Sequence, residues 1–321
     1  MADAKRYVAI TGGVGGAKLA LGLIQLLGPD EIAFIVNTGD DFEHLGLHIS
    51  PDIDTLVYTL SGQSNTEAGW GRRGETWQFM KALKQFGGES WFNLGDLDLA
   101  MHVERTQRLR RGASLTDVTR DLAASLGVKH AILPMSDAPV RTMIGTAEGE
   151  LAFQHYFVRD RCAPAVTGFR FDGATKATPT SQIEAALADP QLAGVIICPS
   201  NPFVSVDPVL AVPGLRERMG RIRAPIVAIS PIVAGTAIKG PTAKMMTELN
   251  IPNDAVAVAR HYRGLVDGFV LDSQDSALES AVAALGIATV VTQTVMLTLA
   301  DRQQLADDVL RFMERLNSQN A

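Results

Sequence analysis

The chain has 321 residues, 46% of them hydrophobic and 20% charged, with a formal net charge of −6. That length permits roughly two domains of about 150 residues, and the acidic balance excludes the basic face that a sequence-independent grip on nucleic acid requires. Cys162 and Cys198 are too few for a disulfide framework or a structural zinc site, and no apolar run is long enough to span a bilayer, so the expectation is a reduced, cytoplasmic protein with neither nucleic acid nor membrane as a partner.

Taken from the start, Tyr7 to Ile10 reads as a strand and Gly12-Gly13-Val14-Gly15-Gly16 as a glycine turn. A helix begins near Ala17, and a second strand follows from Ile32 to Val36. This opening is a βαβ unit whose strands lie parallel. The segment 63–127 reads as helices without strands: Glu75 to Phe86, Asp96 to Arg111, and a third opened by the capping box Ser114-Leu115-Thr116-Asp117. Arg141 to Val158 reads as a β-hairpin turning at Glu148-Gly149. Further strands are expected at 131–133, 194–198, 224–229, 268–271 and 288–292, with helix-patterned segments between most of them. The predicted fold class is α/β, a doubly wound, mostly parallel Rossmann-like sheet carrying a helical insertion and a β-hairpin. Its organisation is a nucleotide- and metal-binding core, 1–62 with 128–321, and the insertion 63–127. Ligands then sit beyond the carboxyl ends of the strands.

The candidate site residues follow such runs. Gly12, Gly13, Gly15 and Gly16 let backbone approach an anion, with Lys18 beside them. The turn is not a Walker loop, which needs Gly-Lys followed by Ser or Thr, and it misses the last glycine of the dinucleotide fingerprint; a nicotinamide oxidoreductase is set aside on that ground. Asp40 and Asp41 lie just past the second strand, and Ser50-Pro51 caps a helix that carries Asp52 and Asp54 in its first turn. Taken singly, Asp52 and Asp54 only complement a helix dipole, an effect of about 0.3–1 kcal/mol. Converging with Asp40, they repel one another unless a cation or protons intervene, and an oxygen-only set suits magnesium; His44 and His48 lack the ligand set for zinc. Ser200 and Asn201, between Pro199 and Pro202, and Ser230 before Pro231 are further groups able to hold phosphate. Asp96 reads as a helix cap on sequence alone.

In order along the chain, Gly12-Gly13-Val14-Gly15-Gly16-Ala17-Lys18, Asn37-Thr38-Gly39-Asp40-Asp41, Ser50-Pro51-Asp52-Ile53-Asp54-Thr55, Leu94-Gly95-Asp96 with Asp98, Leu133-Pro134-Met135-Ser136-Asp137, Pro199-Ser200-Asn201-Pro202 and Ser230-Pro231-Ile232 resemble one family. It is the 2-phospho-L-lactate transferases of coenzyme F420 biosynthesis. The resemblance implies transfer of a phosphorylated three-carbon acid from a guanosine diphosphate-linked donor of the lactyl-2-diphospho-5'-guanosine type to the deazaflavin alcohol Fo, releasing GMP. It also implies magnesium dependence and a homodimer. By motif match, Asp40 and Asp52 are metal ligands, Asp54 touches the deazaflavin, and the Ser200-Asn201 and Ser230 loops hold the guanosine diphosphate part; its place beside those ligands makes Asp54 the candidate for orienting the hydroxyl or taking its proton. Asn93 and Asp96 fall on the deazaflavin side, where Asn93 stands at a position often basic in the family. The alternative is a regulatory relative on the same fold that binds a sugar nucleotide without this catalysis.

Overall fold

The computed structural model describes residues 5–65, 67 and 69–320. The chain opens with β1 (Arg6–Thr11), α1 (Gly13–Leu23), β2 (Ile32–Val36), a small hairpin of β3 (Phe42–His44) and β4 (Leu47–Ile49), and α2 (Pro51–Leu60). There follow α3 (Gln78–Gln85), α4 (Asp96–Arg110), α5 (Leu115–Ser125), β5 (Ala131–Pro134), and an antiparallel group of β6 (Arg141–Thr146), β7 (Gly149–Ala152) and β8 (Gly168–Asp172). β9 (Leu192–Ile197) and β10 (Ile226–Ile229) precede a short ribbon, β11 (Ile232–Val233) and β12 (Thr236–Ala237). β13 (Gly268–Asp272), β14 (Ala288–Thr292) and the C-terminal helix Leu299–Asn320 complete the chain, with short helices between these strands.

The central sheet has seven strands in the order β14-β13-β10-β9-β1-β2-β5, every neighbouring pair parallel. It is an α/β fold with helices on both faces. Alternation along each strand divides the core into two layers. Val8 and Ile10 of β1 with Val195 and Ile197 of β9 face one layer, while Tyr7, Ala9 and Ile196 face the other. Both faces are covered, which is why these runs are apolar throughout instead of alternating. Met101 of α4 and Leu115, Val118 and Leu122 of α5 belong to the second layer, so these helices lie against the sheet.

From β1 the chain winds outward through β2 to β5, then returns to β9 on the other side of β1 and winds the opposite way. The reversal between β1 and β9 leaves a crevice at their carboxyl ends, the place where open α/β sheets bind ligands.

Several local expectations change. α1 begins at Gly13, not near Ala17, so most of the glycine turn is the helix's own first turn. The β3–β4 hairpin was not anticipated: its turn, Leu45-Gly46, has φ of 54° and 72°, a conformation that Leu rarely adopts and that Asn-Gly would have announced. The 141–158 hairpin forms, but its second strand stops at Ala152 and the chain turns helical at His155–Arg159. β8 joins β6 as a third strand.

Candidate active site

One cavity of about 580 Å³ opens at this crevice, inside the size range of small-molecule sites. It is lined by Gly12, Gly13, Gly15 and Lys18 after β1, Asp40 after β2, Asp52 and Asp54 of α2, Ser200 and Asn201 after β9, and Ser230 after β10. Asn93 also lines it, from the segment before α4. Residues more than 200 positions apart in sequence therefore share one wall because the parallel sheet brings its carboxyl ends together.

Asp52 is set by two neighbours from other elements. The Gly13 N–H donates to its Oδ1 at 2.7 Å and the Asn37 side-chain amide donates to its Oδ2 at 2.9 Å. Asp52 thus complements the amino end of α1 more directly than that of its own helix. Gly13 sits at φ 65°, in the left-handed region that glycine tolerates. Burial pushes the Asp52 carboxyl up to about 6 against the opposing hydrogen bonds from Asn37 and Gly13. Burial first, and the Asp52 charge second, raise Asp40 well above the ordinary carboxylate range. Asp40 Oδ1 is buried without a hydrogen-bond partner. Two buried carboxylates that repel each other, one with an orphan oxygen, form an oxygen-only donor set that a hard divalent cation fits.

Asp41 does other work. Its Oδ2 accepts from the Ser50 hydroxyl at 2.8 Å and lies 3.1 Å from His48 Nε2. Ser50 occupies the cap position of α2 but spends its hydroxyl on Asp41 instead of capping, so the carboxylate anchors the β3–β4 hairpin to the helix start.

Asp54 is paired with Arg105 through both carboxylate oxygens, Nη1 donating to Oδ2 at 3.1 Å and Nη2 to Oδ1. Burial pushes Asp54 up, while Arg105 and His102 pull it back. Arg105 Nη1 also reaches His102 Nδ1 at 3.3 Å. Arg has only donors, so Nδ1 is the acceptor and the neutral ring carries its hydrogen on Nε2. That atom lies 3.2 Å from Asp98 Oδ2, and Asp98 accepts from the Tyr58 hydroxyl at 2.5 Å. Burial alone would raise Asp98, yet His102 and Tyr58 hold it below the usual carboxylate range. Asp54, Asp98 and His102 present ligand atoms within 4.8 Å of one another, but Arg105 already supplies that corner's positive charge.

Four of the expected residues spend their polar side-chain atoms on the fold. Asp96 does not line the cavity: its carboxylate accepts from Gln78 N at 3.2 Å, Phe79 N at 3.1 Å and the Thr76 hydroxyl, fixing the start of α3, while Gly95 caps α4. Ser200 exchanges hydrogen bonds with the Gly12 backbone, at 3.2 and 2.8 Å, and Ser230 does the same with Ile232, at 3.2 and 2.7 Å. Asn201 Oδ1 accepts from Phe203 N and Val204 N. All three line the cavity, but their side chains build its loops. The glycines at 15 and 16 serve close packing, since a Cβ at Gly15 would strike the Pro199 carbonyl and one at Gly16 the Thr11 and Ser200 hydroxyls.

Sequence reading missed Tyr58, Asp98, His102 and Arg105 as a network. A signal existed: Asp98, His102 and Arg105 are spaced i, i+4, i+7 on α4, one face. His102 and Arg105 are each only 1% exposed, which the sequence could not state. Asn37, fully buried, was quoted in a motif without a role. It donates both to Asp52 and to the Val204 carbonyl at 3.2 Å, joining the β2 and β9 loops.

A family model described as 2-phospho-L-lactate transferase CofD matches residues 7–310. Among curated relatives, a phosphoenolpyruvate transferase of Kitasatospora aureofaciens is 38% identical over 318 residues, 97% of this chain and 98% of its own. A 2-phospho-L-lactate transferase of Methanosarcina mazei is 36% identical over 304 residues, 95% and 99% of the two chains. Among solved structures, a UPF0052 family member from Bacillus halodurans superposes with a TM-score of 0.60 at 15% identity, covering 95% of this chain and 99% of that one; that likeness is one of fold. On the near full-length match and the shared sequence, the chain belongs to the 2-phospho-L-lactate transferase CofD family.

Proposed function

We propose that this protein transfers a phosphorylated three-carbon acid from a guanosine diphosphate-linked donor to the terminal hydroxyl of the deazaflavin Fo. The alcohol oxygen bonds to phosphorus, the bond to the GMP oxygen breaks, and GMP leaves. The observation that carries this reading is the pair Asp40 and Asp52, both buried and both lining the cavity, with Asp52 accepting from the Gly13 N–H at the start of α1.

Asp40 and Asp52 would hold magnesium, which when bound neutralises charge on the phosphoryl oxygens. Asp54 accepts a hydrogen bond from the attacking hydroxyl and takes its proton late, while Arg105 keeps the carboxylate in one orientation. Residues 63–127 supply the deazaflavin side through Asn93, Asp98 and His102, with Tyr58, Phe92 and Phe157 as apolar walls. The loops after β9 and β10 shape the nucleotide side. The enzyme works as a homodimer in the cytoplasm; no helix of the described residues is long and apolar enough to cross a membrane.

The relatives' names divide between phosphoenolpyruvate and 2-phospho-L-lactate, acids that differ by a hydrogen pair few contacts can read. The test incubates purified protein with Fo, magnesium and each guanylyl donor, and follows products by mass spectrometry. Formation of GMP with a phosphoacyl-deazaflavin supports the reading, and no product from any donor overturns it. Asp54→Asn should lower turnover about 10²–10⁴-fold; a loss within about threefold would remove the base from the mechanism.

A further inference from the structure

Two helices beside the cavity are tied by a polar chain that starts and ends on α2. Asp54 and Tyr58 lie one turn apart on α2, and Asp98, His102 and Arg105 share one face of α4. Tyr58 donates to Asp98 Oδ1, Asp98 Oδ2 lies 3.2 Å from His102 Nε2, Arg105 Nη1 lies 3.3 Å from His102 Nδ1, and Arg105 closes on Asp54. The ring in the middle has one consistent protonation. A carboxylate beside Nε2 favours a hydrogen there, and a guanidinium, which only donates, needs a lone pair on Nδ1. Both neighbours select the same neutral tautomer from opposite sides.

That tautomer governs Arg105. The Arg105 Nε is buried with no partner among the described residues, so the guanidinium is held through its two terminal nitrogens alone. Nη2 is committed to Asp54, while Nη1 divides between Asp54 at 3.1 Å, His102 at 3.3 Å and the His48 carbonyl at 3.5 Å. Without the His102 acceptor the fork is free to swing and to carry the Asp54 carboxylate with it. Asp54 lines the cavity and Arg105 does not, so a shift of the fork reaches a substrate through Asp54. Apolar side chains of similar volume often hold two elements together as well as a buried ion pair does; fold stability alone gives this chain little reason to exist.

We propose that His102, held by Asp98, is a positioning residue for the transfer: it fixes the Arg105 fork, and the fork fixes Asp54 toward the attacking hydroxyl. This role rests on the transferase reading for its reaction, and it deepens that reading by extending the catalytic machinery to two residues of the helical insertion.

The test measures turnover of full-length protein with Fo, magnesium and the guanylyl donor it accepts, for His102→Phe, His102→Asn, Asp54→Asn and the double variant Asp54→Asn with His102→Phe. His102→Phe should lower kcat about tenfold to a hundredfold, the cost of a small misplacement of a reacting group, with KM for Fo within about threefold. His102→Asn, whose side-chain oxygen replaces the Nδ1 acceptor, should recover most of that loss. The double variant should be no slower than Asp54→Asn alone within about twofold, since a residue that acts through Asp54 has nothing left to position. Nitrogen NMR of the unaltered protein with labelled histidine should show His102 with its hydrogen on Nε2, a measurement that stands even if His102→Phe misfolds. Losses that multiply in the double variant overturn this role and leave the transferase reading intact, as does a hydrogen on Nδ1 in the unaltered protein. No product from the unaltered protein with any donor overturns the transferase reading and this role with it.

Discussion

At the scale of single residues, the site keeps charge where charge is costly. Asp40 and Asp52 are 6% exposed each, and their mutual repulsion destabilises the protein until a cation or protons intervene. Asp40→Asn removes one charge at constant shape. The expected outcome, read by thermal denaturation in chelator, is a melting temperature a few degrees above that of the unaltered protein, with transferase turnover lost. Arg105 poses the opposite case. It is the largest fully buried side chain described, and its removal leaves Asp54 as an unpaired buried charge. Arg105→Met should cost about 3–5 kcal/mol in denaturant unfolding; a loss below about 1 kcal/mol would show that Asp54 finds another partner.

At the scale of elements, loops are held by side chains that reach across the sheet's edge. Asp272 ends β13, and its carboxylate accepts from Gln274 N at 2.9 Å, Thr294 N at 2.7 Å and the Thr294 hydroxyl at 2.9 Å. Burial alone would raise Asp272, but these bonds from Gln274 and Thr294 bring it below the usual carboxylate range. A depressed native value means stability that is present above the unfolded-state pKa of about 3.9 and is lost as pH falls through the native one. Asp272→Asn should therefore be less stable than the unaltered protein at pH 7, and the gap should close below about pH 4, as measured by urea midpoints across that range. The same habit explains the elements that sequence could not foresee. Asp96 was placed at its own helix start, yet its carboxylate serves α3, because a short acidic side chain at N1 points outward to whichever amides the fold brings near. Chain order does not say which amides those are.

For the whole molecule, the two apolar layers around one parallel sheet are the main source of stability. The C-terminal helix closes one of them: Leu305, Ala306, Val309, Phe312 and Met313 are all buried, and Phe312 packs over Gly268 at the foot of β13. Phe312→Ala should cost about 3–5 kcal/mol without changing the affinity for GDP, since it lies at the opposite end of the strands from the cavity. A loss of binding at a temperature where the variant stays folded would contradict that separation. The strands themselves, β1, β2, β5, β9, β10, β13 and β14, were legible within a few residues, because a strand covered on both faces must be apolar along its length and bounded by turn residues. So were the site's backbone positions, since an α/β sheet puts its ligands after its strands whatever the side chains are. The sequence by itself thus determined the layered fold, the family and the location of the cavity, all of which follow from local pattern. Only the tertiary structure decided what each polar group there does: that Asp54 faces Arg105, that Ser200 bonds the Gly12 turn after β1, and that Ser230 bonds its own loop. Those outcomes depend on distances between residues far apart in the chain, which burial and packing set and no spacing along the sequence encodes.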